Sequence, residues 1–192
     1  MSISLVKGQK IDLTKGNAGL NKVVFGLGWD TNRYDGNEAF DLDVSAFFTD
    51  ENGKVTGEQD FIFYGQPSHQ SGALIYSGDN QTGEGSGDDE TMKVELSKIP
   101  GNIQKISFAA TIYDAESRLQ NFGMISNSYI RAINESSGEE LFKYELDEDF
   151  SLETGIVAGE LYRKNGEWKF SAIGSGYSGG LAAIARNFGL NI

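Results

Sequence analysis

The sequence contains no cysteine, a single histidine and only two prolines among its 192 residues. The first absence excludes disulfides and thiolate metal sites, and the second argues against a zinc or iron site built from imidazoles. With 25 glycines beside so few prolines, the chain should turn often and tightly rather than run through extended linkers. Long apolar runs are missing too. Nothing approaches the ~20 residues that span a bilayer, and the N-terminal MSISLVKGQKIDL lacks the apolar stretch of a secretory signal. A cytoplasmic protein without membrane insertion is therefore expected, and the sequons at Asn80 and Asn134 carry little meaning. Bases are scarce: 16 stand against 28 acids, for a net charge of −12. Phosphate backbones need a basic footprint, so direct nucleic-acid binding is not expected.

The acids are concentrated. Residues 30–60 carry nine (Asp30, Asp35, Glu38, Asp41, Asp43, Asp50, Glu51, Glu58, Asp60) against Arg33 and Lys54. Residues 77–97 carry six (Asp79, Glu84, Asp88, Asp89, Glu90, Glu95) against Lys93. The rest of the chain is balanced. Charge kept for solubility is spread over a surface, whereas charge gathered in two segments suggests cation binding.

Short β-branched and aromatic segments bounded by Gly, Asn and Asp recur along the chain. They predict strands near 2–6, 9–14, 22–29, 40–48, 60–64, 73–76, 91–96, 104–113, 127–134, 140–145, 156–163 and 167–173. Asn165-Gly166, between LYRK and EWKF, accepts the positive φ of a type I′ hairpin turn. Only 180–189 reads clearly as a helix, with Gly189 as its C-cap, and a shorter helical turn is expected near 117–124. This pattern is that of an all-β, two-sheet β-sandwich with a short C-terminal helix, a single domain over 1–192. Lys22–Asp30 (KVVFGLGWD) also echoes Lys105–Asp114 (KISFAATIYD), a weak internal repeat.

Phe40–Phe48 (FDLDVSAFF) begins in strict alternation. Phe40, Leu42, Val44 and Ala46 share one face, and Asp41, Asp43 and Ser45 the other. Residues i and i+2 of a strand lie roughly 6.5–7 Å apart, so Asp41 and Asp43 repel unless a cation compensates them. The bland alternative is an amphipathic strand with a solvated polar face. A second acidic segment, Gly78–Glu90 (GDNQTGEGSGDDE), offers five carboxylates, two amide oxygens and two hydroxyls among glycines that let a loop curl around one point. Calcium takes six to eight oxygens, many of them carboxylate or carbonyl. A mobile acidic loop is the competing reading. Asp79 to Glu90 spans twelve positions, but Gln81, Gly83 and Glu84 stand where an EF-hand needs other residues, and the flanks read as strands. Magnesium prefers fewer protein ligands, which favours calcium.

FDLDVSAFF, GDNQTGEGSGDDE, ISFAATIYDAE, YIRAINESSGEEL and the ending GIVAGELYRKNGEWKFSAIGSGYSGGLAAIARNFG together resemble the TerD family of tellurium-resistance and stress proteins, over nearly the whole chain. The resemblance implies a calcium-binding β-sandwich without enzymatic activity, linked to tellurite resistance and stress. It implies a calcium region of Asp41, Asp43, Asp79, Asn80, Asp88, Asp89 and Glu90. Its partners would be calcium ions and other proteins of a stress-response complex, and the chain would act as a metal-dependent interaction module. The alternative is a metal-dependent phosphoester hydrolase using the same acids, which would need a base or cation for its transition state.

Three further features invite chemistry. Gly174–Gly179 fits G-x-G-x-x-G ahead of a helix, but no later strand or acid completes a dinucleotide site. A glycine turn there would leave backbone N–H groups open to an anion, but the simpler reading is that it lets the tail helix pack back on the sandwich. His69 lies in the turn-rich QPSHQSG and is expected to be exposed, with no sign of a Ser/His/Asp triad. Trp29 and Trp168 sit in apolar strand contexts and are expected in the core.

Overall fold

The computed structural model describes residues 2–30, 40–78, 87–146 and 150–192. Twelve strands form two six-stranded sheets. They are β1 (Ile3–Leu5), β2 (Lys10–Asp12), β3 (Lys22–Asp30), β4 (Leu42–Thr49), β5 (Phe61–Ile62), β6 (Leu74–Ser77), β7 (Glu90–Glu95), β8 (Lys105–Ile112), β9 (Ser126–Asn134), β10 (Glu140–Glu145), β11 (Gly155–Lys164) and β12 (Glu167–Tyr177). The first sheet runs β1-β10-β9-β3-β7-β6, the second β2-β12-β11-β8-β4-β5. Pairing is antiparallel except between β1 and β10. The echoing segments β3 and β8 each hold the fourth place in their sheets.

The core follows from alternation, since successive side chains of a strand face opposite sides. Phe25 of β3 stacks on Phe108 of β8 across the sheets at 4.2 Å, and Phe142 of β10 on Phe170 of β12 at the same distance. Leu42, Val44, Ala46 and Phe48 point into this layer, and Trp29 and Trp168 are buried with it. Burying side chains of this size contributes roughly 1.5–3 kcal/mol each.

The outer face of β4 is not the solvated face of a plain amphipathic strand. Ser45 and Phe47 are buried there. Phe47 stacks on Phe61 and on Phe188 at 4.7 and 4.5 Å, in a second apolar cluster with Ile184 and Ala185 of α2 (Gly180–Asn187). That helix ends as expected, with Gly189 at φ 96°. The expected turn near 117–124 resolves into α1 (Ala115–Arg118) and a 3-10 turn at Phe122–Met124. Asn165 and Gly166 take φ 54° and 78°, both positive as a type I′ turn requires.

Candidate functional site

The strand registers gather several chain ends at one end of the sandwich. Leu27 stands opposite Glu90, Ser77 opposite Thr91, Asp30 opposite Ser126 and Leu42 opposite Ile112. Glu90 ties the two sheets together here: its Oε2 accepts the Val44 N–H at 2.6 Å, and its Oε1 accepts the Tyr76 hydroxyl at 2.8 Å. The start of β4, which follows Asp41, therefore meets the start of β7, which follows Asp88 and Asp89.

The candidate ligands meet different fates. Glu90 is fully buried, and a carboxylate taken out of water needs donors of this kind. It serves as an internal strut. Asp88 lies on the outer face of the first sheet, where its Oδ1 accepts Arg131 Nε at 2.7 Å and the Tyr129 hydroxyl at 3.1 Å. Asp89 is pinned against the end of β3, its N–H donating to Leu27 O at 2.8 Å and its Oδ2 accepting the Trp29 N–H at 3.0 Å. Asp41 and Asp43 are half-buried on the second sheet, and the Asp41 carbonyl accepts the Tyr113 N–H at 2.8 Å. Burial first, then the charge of Asp43, the Tyr113 phenol and the charge of Asp41 raise the Tyr64 phenol above its ordinary range. Asp79 and Asn80 fall outside the described residues.

The donors are all oxygen, the chemistry a hard cation selects. Among the described residues no three carboxylate or imidazole groups converge on one point. Asp41, Asp43 and Asp89 thus fit calcium in kind, and a shell of six to eight oxygens needs further donors beyond them.

Four residues that composition did not single out shape this end. A β-carbon at Gly26 would lie 2.1 Å from Asp88 Oδ2, and one at Gly28 would lie 2.4 Å from the Tyr129 ring. Arg131 links Asp88 to Glu140, whose Oε2 accepts Nη1 at 2.9 Å. Burial works against the Arg131 charge, yet its bonds to Asp88 and Glu140 outweigh that and raise its pKa. Burial first, then the neighbouring Asp88 charge, push the Tyr129 phenol up to about 12. Alternating residues 129 and 131 on β9, facing two outward glycines on β3, were the available sequence signal.

One expectation is corrected. His69 is buried, not exposed. The Gly174–Gly176 segment is part of β12, with Ser175 opposite Val157 and Gly176 opposite Ile156. Its glycines are required by close approach, since a β-carbon at Gly174 would lie 2.4 Å from the Tyr144 hydroxyl. An anion-binding turn does not form over these residues.

The TerD domain model matches residues 1–188. General stress protein 16U of Bacillus subtilis (strain 168) is 62% identical over 192 residues, all of both chains. Tellurium resistance protein TerD of Serratia marcescens is 48% identical over 191 residues, covering 100% of this chain and 99% of its own. A solved structure of a telluride resistance protein homologue from Streptomyces coelicolor A3(2) superposes with a TM-score of 0.73 at 21% identity, covering 91% of this chain and 100% of that one. That likeness bears on the fold alone.

Proposed function

This chain belongs to the TerD domain family, and from that premise we propose that it is a calcium-binding, non-enzymatic protein of the stress and tellurite response. The observation that carries the reading is the Glu90–Val44 contact, which brings the acids before β4 and those before β7 to one end of the sandwich. Asp41, Asp43 and Asp89 would hold the ion there with oxygens of the 79–86 segment, Asp79 and Asn80 among them. Calcium supplies the positive charge that cancels carboxylate repulsion. This chain's own part is to orient the two acidic segments and offer the ordered end to partner proteins in the cytoplasm. No helix among the described residues is long and apolar enough to cross a membrane.

Isothermal titration of the chelator-treated protein tests the reading. Calcium should bind with definite stoichiometry and much more tightly than magnesium. Equal, weak heats for both ions would dismiss it. The hydrolase alternative gains no specific support, because Arg131, which faces Asp88, is already committed to Asp88 and Glu140.

A further inference from the structure

We propose that Asp88 is an anchor rather than a calcium ligand, and that Arg131 and Tyr129 are the positioning residues that hold it. The inference rests on the calcium reading above and reassigns one member of its ligand set. Asp88 lies in a slot that the missing side chain of Gly26 opens on the outer face of the first sheet. Its side chain is only 8% exposed and faces a guanidinium that is itself three-quarters covered. The Tyr129 hydroxyl is within bonding distance of both Asp88 Oδ1 and the Gly87 carbonyl, at 3.1 Å each. Arg131 is in turn braced by Glu140, whose other oxygen accepts the Ser2 hydroxyl at 2.5 Å.

Moving Asp88 to a metal would strand a largely covered guanidinium without its nearest carboxylate, and breaking such a pair is strongly unfavourable. Left in place, the pair fixes where β7 begins and keeps Gly87 beside the Tyr129 hydroxyl. Asp89, the next residue, is held by the backbone of β3 and is thereby aimed at the shared end. Outer partners that orient ligands in this way typically govern affinity ten- to a hundredfold.

The two roles predict opposite signs for one substitution. If Asp88 anchors, Arg131→Gln and Asp88→Asn should each weaken calcium binding by about tenfold or more. The double variant should be no worse than either single one, because the pair acts as a unit. Arg131→Lys should fall between, since a point charge cannot keep the two-pronged contact. If Asp88 were a ligand, Arg131→Gln would free it and leave calcium binding unchanged or tighter, and that result overturns the proposal. Should Arg131→Gln fail to fold, Tyr129→Phe removes one bond only and should weaken calcium in the same direction; unchanged affinity there overturns the proposal equally. Should the parent itself bind no calcium, the functional reading fails separately. Amide exchange of the metal-free variants then decides: Asp89 N–H protection should drop in Asp88→Asn, and full protection refutes the anchor.

Discussion

His69 stacks on Phe48 at 4.2 Å and is 2% exposed. Its Nδ1 accepts the Ser71 N–H at 3.1 Å, so Nε2 carries the proton and donates to Asp60 Oδ1 at 3.1 Å. Asp60 is buried as well and accepts Thr56 N–H on its other oxygen. Ser71 Oγ also lies 2.8 Å from Nδ1, but it accepts the Ala73 N–H within the same loop. The arrangement reads as a braced turn. His69→Ala should cost about 3 kcal/mol through a cavity and a stranded Asp60 oxygen, and urea unfolding measures it; a loss under ~1 kcal/mol would show the pair to be inert. Tyr129 gives a second prediction. Its pKa rises on folding from 10.0 to about 12, so the stability it contributes is present below pH ~10 and fades as pH climbs through ~12. Ultraviolet titration should show a late phenolate step that Tyr129→Phe removes. A difference between the two titrations that falls near pH 10 would refute the shift.

At the scale of elements, β4 carries two jobs on one strand. Its inner face fills the core, and its outer face passes from apolar Phe47 under α2 to the acids at its start. Asp41→Asn with Asp43→Asn keeps shape while removing both charges, so the fold should persist and calcium affinity should drop by at least about tenfold. The Tyr64 phenol should move back toward its ordinary range in the same variant, because Asp43 and Asp41 help raise it. Unchanged calcium affinity would reduce these acids to surface decoration. In the crossover after β8, Asp114 and Leu119 adopt positive φ of 50° and 54°, a conformation costly for leucine.

Across the whole molecule, charge is sorted by topology more than by sequence position. Asp50, Glu51 and Glu95 lie near the acids in the chain but stand where β4 and β7 finish, at the opposite end. Asp114, Glu116 and Glu153 arrive at the acidic end instead, since Ile112 pairs with Leu42 and Thr154 O accepts the Ile112 N–H. Like charges so collected destabilise the fold through self-repulsion. A ligand at a hundred times its dissociation constant adds about 2.7 kcal/mol, roughly 5–10 °C for a chain of this size. Melting should therefore rise with millimolar calcium and much less with magnesium; an unchanged melting temperature would remove the basis of the functional reading. Amides of 40–45 and 87–91 should gain protection together with 79–86 at one calcium occupancy. Protection of 79–86 alone would mean that the second segment binds calcium by itself.

Periodicity and turn chemistry in the sequence determined the strand positions, the inward face of β4, the Asn165-Gly166 hairpin and the closing helix. These are local preferences, set by alternation, positive φ and capping within a few residues. The family resemblance was also carried by linear motifs. What only the tertiary structure decided is which side chains answer one another. Glu90 became a buried strut because Val44 and Tyr76 meet it from other strands. Asp88 became the partner of Arg131, 43 residues away in sequence, because β3 places Gly26 between β7 and β9. His69 went inside because Phe48 and Asp60 enclose a loop whose own composition reads as exposed. Pairing across strands is a long-range choice, and no local pattern encodes it.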